Sequence, residues 1–407
     1  MLDTPEFDQI SLSSPGLHTV SNPHRNKKER RERQDMDTAA TQQSPLWLEH
    51  HPMTWKPDDF KDPCAYVVEI TKDGEREIQE GLKKFKELGL EEYETSTNNF
   101  PLPTLRAQLQ QACHDVHQGR GFVIVRGLGL VGEDNPDNIT MFLGVSDHIG
   151  SQRGRQARAK GYMLQHITDP KTLTTAYEQR HGIHTPAGLE WHTDMGPDIL
   201  ALHVRSLAEQ GGDTYIAPSF TIYQELVKEH PEMVEILRRP FPVQICNNPV
   251  QYAMTPLLHV GEDRILLSFD PGRLVPRAGA DVSPLSPEQE RALCVISELA
   301  DKFRLRLDMK PGDMVFINQW STLHSRDNYV DAKDSDGPRR HLVRLHLRNP
   351  ELAWPIPEHM REPLEKAFGK DGKGHGHDGV RERYPLTPKD IESGPPSYTA
   401  GSASCDD

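Results

Sequence analysis

Trp191-His192-Thr193-Asp194 is the stretch of this sequence that most narrows its fold and its chemistry. His192 and Asp194 are two positions apart, so on an extended strand both side chains point to the same face and can reach one metal ion. Taken alone, a His-x-Asp pair is weak evidence, because the chain has 20 histidines and one such pair is expected by chance. The alternative is a surface or core histidine that happens to lie beside an aspartate.

Three segments further along the chain favour the metal site. Gly211-Gly212-Asp213-Thr214 predicts a turn that delivers a hydroxyl-bearing residue, and His324 stands just past a predicted strand. Arg340-His341-Leu342-Val343-Arg344 follows. Two imidazoles and one carboxylate form the facial ligand set of non-haem iron(II) enzymes, which leaves about half of an octahedral shell open. His192, Asp194 and His324 are therefore candidate ligands of one ion.

Helices are predicted mainly in the first half of the chain and short strands in the second. Apolar residues recur at helical spacing over residues 78–88 and 105–116, and a single helix fits residues 222–237. A further helix begins at Ser286, where Pro287 and Gln289 complete a capping box. The predicted strands are residues 122–127, 314–318 and 340–348. Short strands with surrounding helices are typical of a β-barrel or jelly roll.

The composition describes an acidic, polar chain of 407 residues, of which 35% are hydrophobic and 27% charged. The formal net charge of −14 disfavours nucleic acid as a partner. No stretch approaches the roughly 20 apolar residues that cross a bilayer, and no secretory signal is visible. The five cysteines lack zinc-finger and CxxC spacing. We expect a cytoplasmic protein with reduced thiols and no membrane or nucleic-acid partner.

Both ends of the chain are predicted to lie outside the folded domain. Residues 1–60 form a polar, mostly disordered extension and residues 369–407 a disordered tail rich in glycine and proline, which leaves residues 61–368 as one domain. The basic run at residues 27–33 could direct nuclear import, but acidic residues interrupt it and a solvated arm is favoured. We expect His375, His377 and Asp378 in the tail to bind metal only adventitiously.

Taken as a set, these segments resemble the TauD/TfdA group of Fe(II)- and 2-oxoglutarate-dependent oxygenases, in the clavaminate-synthase-like superfamily. The resemblance runs from about residue 102 to residue 354, and the order and intervals of its motifs match. The motifs are residues 121–127, 191–194, 211–214, 311–313, 324 and 340–344. It implies an α+β fold with a double-stranded β-helix (jelly-roll) core and surrounding helices, and it implies iron(II), 2-oxoglutarate and O2 as reactants.

Carried over residue by residue, the resemblance assigns roles within the candidate site. It implies that His192, Asp194 and His324 bind iron(II), and that Thr214 and Arg340 hold the distal carboxylate of 2-oxoglutarate. The chemistry agrees, because a guanidinium pairs with a carboxylate through two parallel hydrogen bonds and a hydroxyl adds a further donor.

The other arginines near these motifs have alternative roles. Arg340 is preferred to Arg339 for 2-oxoglutarate because neighbours on a strand face opposite sides, and Arg344 shares the side of Arg340. In the resembled family, the position of Arg344 can bind an anionic group of the substrate; the alternative is a donor that stiffens the site. Arg326 is expected in a supporting or surface position. His181, His184 and His203 could compete as ligands, although His203 suits a hydrogen-bonded core histidine better.

The chain departs from the pattern of fungal-type relatives at Asn318-Gln319, where they carry an Asn pair, and at His346, where they carry Trp. Both changes could reshape the pocket. Trp191 fits a pocket wall or the core equally well. The tract 243–279 is where such enzymes vary their substrate contacts, and the sequence assigns no roles within it.

The predicted function is an iron(II)- and 2-oxoglutarate-dependent dioxygenase that releases succinate and CO2. It would hydroxylate, desaturate or cyclise a small anionic substrate such as an amino acid, a sulfonate or a secondary-metabolite intermediate. One alternative is a non-catalytic metal-binding jelly roll that acts as a small-molecule binder; another places the function in the N-terminal arm, as a docking element. An exposed barrel face would allow a homo-oligomer.

Overall fold

The computed structural model describes residues 45–132, 135–156, 161–170, 176–177, 180–247, 250–276, 280–334, 337–369 and 382–388. The strands are β1 (Val67–Glu69), β2 (Phe122–Arg126), β3 (Gln152–Gly154), β4 (Leu164–Ile167), β5 (Leu189–His192), β6 (Ile199–Ser206), β7 (Gln210–Gly211), β8 (Thr214–Pro218), β9 (Phe241–Asn247), β10 (Val250–Thr255), β11 (Leu258–Val260), β12 (Ile265–Leu267), β13 (Leu305–Arg306), β14 (Met314–Asn318), β15 (Thr322–Arg326), β16 (Tyr329–Val330) and β17 (His341–Arg348). The helices are α1 (Lys72–Glu87), α2 (Arg106–His117), α3 (Asp137–Ser146), α4 (Ser219–Glu229), α5 (Pro231–Leu237), α6 (Pro271–Leu274), α7 (Pro287–Lys302) and α8 (Arg361–Phe368). Short 3-10 helices are Leu46–His50, Pro57–Phe60, Pro63–Ala65, Glu92–Glu94, Gly182–His184 and Glu358–Met360.

Two sheets form the centre of the fold. The larger has seven strands in the order β1-β2-β14-β6-β17-β3, with β4 also paired to β17. Its neighbours are antiparallel except β1 and β2, which are parallel. The smaller sheet is antiparallel, in the order β13-β8-β15-β5. Three two-stranded ribbons pair β7 with β16, β9 with β10 and β11 with β12.

The two sheets face each other across an apolar core. Leu202 and Val315 of the larger sheet share one buried cluster with Ile216 of the smaller sheet. The opposite face of the larger sheet is covered by α1, α2 and α3, and the opposite face of the smaller sheet by α4, α5 and α7. Strand β6 is buried along almost its whole length because both of its faces are covered. The structure thus confirms the α+β, jelly-roll prediction.

The local helix signals are confirmed in one place and corrected in another. The Ser286 hydroxyl accepts a hydrogen bond from the Gln289 N–H, and the Gln289 side chain accepts one from the Ser286 N–H, so the predicted capping box starts α7. The single helix predicted over residues 222–237 is wrong, since α4 ends before His230 and α5 begins at Pro231. Proline lacks the N–H that a continuous helix needs at this point.

The packed region extends past both predicted domain boundaries. Residues 45–60 contain Leu48, Met53 and Trp55, all of which are buried in the core. Residues 382–388 also contact the domain, because the Pro385 carbonyl accepts a hydrogen bond from His166 and the Tyr384 ring stacks on Tyr93. The basic run at 27–33 and the histidines at 375 and 377 lie outside the described residues. No helix in the described part of the chain is both long enough and apolar enough to cross a bilayer.

Candidate active site

The three predicted metal ligands come together on the inner face of the smaller sheet. His192 ends β5 and pairs directly with His324 in β15, and the centroids of the two imidazole rings lie 4.1 Å apart. Asp194 lies two residues beyond β5. One donor atom from each of the three residues lies within 4.8 Å of the other two. One ion can therefore contact all three after small side-chain adjustments. Among the described residues, no second group of this kind is present.

The surroundings of the two imidazoles suit a metal ion. His192 Nδ1–H donates to the Glu190 carbonyl at 2.7 Å, which turns Nε2 toward Asp194 Oδ1, 3.9 Å away. Burial, and then the neighbouring His192, hold the pKa of His324 well below its usual value, so His324 is neutral at physiological pH. Its Nδ1 is buried without a hydrogen-bond partner. Two imidazoles and a carboxylate fit iron(II).

Asp194 is held by donors from the larger sheet. Arg344 Nη1 donates to both carboxylate oxygens, at 3.1 and 3.3 Å, and His346 Nε2 donates to Oδ2 at 3.0 Å. The Asp194 N–H donates to the side-chain oxygen of Gln319 at 2.6 Å. Burial alone would raise the pKa of Asp194, but Arg344 and His346 outweigh it and hold this pKa well below its usual value. The carboxylate is therefore ionised and fixed in orientation.

Arg344 is committed to this support. Its Nε donates to Gln156 and its Nη2 to Gln165, both at 2.7 Å, while Nη1 serves Asp194. Each of its three nitrogens thus already donates to a protein acceptor. Of the two roles weighed for Arg344 from the sequence, these contacts favour the donor that stiffens the site over the substrate anchor.

Thr214 and Arg340 meet close to the triad, as the sequence predicts. Arg340 Nη2 lies 3.5 Å from Thr214 Oγ1, and Arg340 Nε donates to the Gly212 carbonyl at 3.1 Å. Arg340 Nη1 is buried with no hydrogen-bond partner. Burial, and then the charge of Arg326, lower the pKa of Arg340 to about 9. A buried guanidinium with an unused donor, beside a hydroxyl, is suited to a carboxylate.

Arg326 belongs to the same cluster, although a supporting or surface position was expected for it from the sequence. Arg326 pairs across the sheet with Thr214 and lies two residues after His324, so all three side chains share the inner face. Its Nη2 donates to the carbonyls of Thr185 and Ala187, but Nε and Nη1 are buried without partners.

Tyr329 links the two guanidinium groups. The Arg326 and Arg340 guanidinium carbons lie 5.1 and 5.6 Å from the centroid of its ring, and its hydroxyl is buried without a partner. Arg326, Arg340 and Tyr329 therefore offer several unused donors in one place. This donor set fits the distal carboxylate of 2-oxoglutarate.

The remaining candidates from the sequence do not join the group of three metal ligands. The His181 ring accepts a hydrogen bond from the Ile183 N–H, and the His184 ring lies 3.2 Å from the His166 carbonyl. His203 is in the core, as predicted, but it is not hydrogen-bonded: both ring nitrogens lack partners. Trp191 is a core residue whose Nε1 donates to Asp301 at 3.0 Å.

Fold and site together define a non-haem iron dioxygenase that uses 2-oxoglutarate and O2. The family model "Taurine catabolism dioxygenase TauD, TfdA family" matches residues 84–346, more than half of the chain. The chain belongs to this family, which confirms the resemblance seen in the sequence.

Curated relatives and a solved structure agree with this membership. "Taurine hydroxylase-like protein SAT17" of Stachybotrys chartarum is 30% identical, over 78% of this chain and 84% of the relative. "FR-33289 synthase" of Streptomyces rubellomurinus is 24% identical, over 72% of this chain and 88% of the relative. A crystal structure of asparagine oxygenase with Fe(II), 3-hydroxyasparagine and succinate shares the fold. Its TM-score is 0.53 at 16% identity, over 70% of this chain and 93% of that one.

Proposed function

We propose that this dioxygenase binds iron(II) through His192, Asp194 and His324, binds 2-oxoglutarate through Arg340, Thr214 and Arg326, and oxidises a small anionic molecule. One observation carries the proposal. The unused donors gather around Arg326 and Thr214 on the smaller sheet, beside the triad, with His324 and Arg326 only two residues apart on β15. A chelating 2-oxoglutarate has to reach from the metal to a distant cation, and this strand provides both ends of that span.

Unpaired arginines support the cosubstrate site. Buried Arg153 has a carboxylate partner, Asp147, at 2.7 Å, and partly buried Arg348 has Asp198 at 2.8 Å. Among the described residues, Arg326 and Arg340 form no such ion pair. A buried charge without a partner is strongly destabilising, so an anion that binds there is strongly favoured. A dicarboxylate cosubstrate supplies that anion.

The residues of the chain orient the reactants and keep water out. When bound, iron(II) and 2-oxoglutarate would activate O2, with one oxygen atom going into succinate as CO2 is lost and the other serving to oxidise the substrate. His192 and His324 would each present a ring nitrogen to the metal, and Asp194 is kept ionised and oriented by Arg344 and His346. The burial of the cluster excludes competing water and strengthens its electrostatic interactions.

The substrate is proposed to be a small molecule with a carboxylate or sulfonate. The support is the name of the relative at 30% identity, taurine hydroxylase-like, because taurine is a sulfonate. Hydroxylation is the preferred outcome for the same reason. Desaturation or ring closure would follow from a different placement of the substrate in the same site.

Anaerobic titration with iron(II) and 2-oxoglutarate tests the proposal. Wild-type protein should develop the weak metal-to-ligand charge-transfer absorption of a chelated 2-oxo acid, and in air it should form succinate. Asp194→Ala should lose both signals. Arg340→Ala and Arg326→Gln should keep iron binding but weaken 2-oxoglutarate binding by about tenfold or more.

Glu190→Gln is the matched control, because Glu190 is exposed on the same strand and uses only its backbone carbonyl at the site. It should behave like wild type. The proposal fails if wild type shows no charge-transfer band or if Asp194→Ala forms succinate at the wild-type rate. Binding of both iron and 2-oxoglutarate without any succinate would favour the non-catalytic binder instead.

A further inference from the structure

A second arginine stands beside the triad once Arg344 is committed to Asp194. Arg273 lies on α6 (Pro271–Leu274), within the tract whose role the sequence left open. The segment before α6 is tied to the metal ligands. The Thr193 N–H donates to the Phe269 carbonyl at 2.5 Å, and the Phe269 N–H donates to Thr193 Oγ1 at 3.0 Å. Because Thr193 stands between His192 and Asp194, α6 is held next to them.

The packing of α6 decides which way Arg273 faces. Pro271 and Leu274, three residues apart, are buried, and Leu274 packs in the cluster behind the smaller sheet. Arg273 lies on the other side of the helix, where its side chain is 34% exposed. The Nε atom of Arg273 is buried and lies 3.1 Å from Asp270 Oδ2, but the geometry of this contact is not that of a hydrogen bond. The guanidinium is thus positioned by a buried carboxylate and still has donors to offer.

The backbone places this pair beside the triad. Asp270 follows directly on Phe269, which is bonded through its N–H and its carbonyl to Thr193, the residue between His192 and Asp194. Burial raises the pKa of Asp270, while Arg273 and His192 oppose that rise, which agrees with this placement.

We propose that Arg273, positioned by Asp270, binds the carboxylate or sulfonate of the substrate and so sets the preference of the enzyme for anionic molecules. This inference rests on the proposed function, since it assigns the substrate anchor of the same site. A planar guanidinium at the edge of the metal centre can bind either anion through two hydrogen bonds. With Arg273 as the substrate anchor, Arg344 can use all three of its nitrogens to hold Asp194, Gln156 and Gln165.

The test measures ligand binding to the anaerobic complex of the full chain with iron(II) and 2-oxoglutarate, by calorimetry. The probes are taurine and β-alanine, with ethanolamine and β-alaninamide as their respective neutral-end counterparts. We expect wild type to bind at least one anionic probe and to bind its counterpart about ten- to a hundredfold more weakly. Arg273→Gln should lose that preference, and Arg273→Lys should keep part of it, because an ammonium retains the charge but not the planar pair of donors.

Arg76→Gln is the matched control. Arg76 also forms an ion pair with an aspartate three residues earlier, Asp73, but on α1, which covers the outer face of the larger sheet. It should bind every probe as wild type does. The inference is overturned if Arg273→Gln binds the anionic probes as tightly as wild type, or if wild type binds none of them. Iron(II) and 2-oxoglutarate binding, read from the charge-transfer band before any probe is added, tests the proposed function separately.

Discussion

His203 is a single residue whose chemistry opposes its surroundings. It is fully buried on the outer face of β6, its ring centroid lies 5.1 Å from that of Phe142, and neither ring nitrogen has a hydrogen-bond partner. Burial, and then the charge of Arg205, hold its pKa well below the usual value. A buried polar group without partners lowers stability, so this residue costs free energy without contributing to the site.

We predict that His203 lowers the free energy of unfolding in mild acid. Because its pKa is lowered in the folded state, the unfolded chain takes up a proton below about pH 6.5 that the folded chain refuses. Stability is therefore retained above that pH and lost as the pH falls, by at most about 1.4 kcal/mol for each pH unit. His203→Phe should remove this loss and raise the free energy of unfolding at pH 7. Urea denaturation at pH 7 and pH 5 measures both effects.

The control for this substitution is iron(II) binding, which should be unchanged because His203 faces away from the triad. Other buried histidines, such as His341, share the same direction of pKa shift, so some acid sensitivity will remain. If the free-energy loss between pH 7 and pH 5 is the same in His203→Phe and wild type, the assigned contribution is wrong.

At the scale of one element, the turn before β8 shapes the cosubstrate site through its backbone. Gly212 has a positive φ of 73°, which side-chain-bearing residues rarely adopt, and a Cβ there would lie 2.8 Å from Arg340 Cδ. Its carbonyl also accepts the hydrogen bond from Arg340 Nε. The glycine allows the Arg340 side chain to lie directly against the turn.

We therefore predict that Gly212→Ala weakens 2-oxoglutarate binding by about tenfold or more, because a displaced Arg340 loses its alignment with the carboxylate. Iron(II) binding should remain, since the triad does not touch this turn. Gly89→Ala is the control: its φ is 66°, but no atom lies within 4 Å of the added Cβ. That variant carries the same backbone strain and should keep the wild-type affinity. Equal 2-oxoglutarate affinities for the two variants would contradict the argument.

The sequence was sufficient where local rules decide the structure. The capping box at Ser286 depends on residues three apart, and the facing of His192 and Asp194 depends on the alternation of an extended chain. The break at His230 was also visible, because Pro231 stands in the sequence, but the apolar spacing that runs through it pointed to one helix. Here the missing proline N–H outweighs the periodicity.

The sequence was insufficient where strand register decides the structure. Arg326 enters the cosubstrate cluster because β15 pairs with β8 so that Arg326 lies opposite Thr214. Arg344 is held by Gln156 and Gln165, which are 188 and 179 residues away along the chain. A single sequence shows neither pairing, so it could suggest a substrate role for Arg344 but could not show that its nitrogens are already used.

At the scale of the whole molecule, the chain before β1 belongs to the folded core. Leu48 lies in the cluster behind the smaller sheet and Trp55 in the cluster between the sheets. Trp55 Nε1 donates to the Arg120 carbonyl at 2.9 Å, and the Trp55 carbonyl accepts from Thr221 at 2.7 Å. This segment therefore bridges β2 and α4, although its polar neighbours in sequence suggested a disordered extension.

We predict that two truncations, at residue 44 and at residue 60, will behave differently. Removal of residues 1–44 should leave the melting temperature and succinate formation close to wild type. Removal of residues 1–60 also deletes three buried side chains, each of which contributes about 2–5 kcal/mol when truncated to alanine. That loss approaches the whole stability of an ordinary domain, so the shorter protein should aggregate or melt far below wild type.

Trp55→Ala in the full chain separates packing from chain length. It should lower the melting temperature by itself, because it opens a cavity beside Phe122 and leaves the Arg120 carbonyl without its donor. Trp47→Ala is the matched comparison, since Trp47 is only partly buried against the core and should cost less. If the chain lacking residues 1–60 has the melting temperature of the wild type, the packed segment is dispensable and the folded domain begins at residue 61. If instead the chain lacking residues 1–44 loses succinate formation while it stays folded, the arm itself takes part in the function.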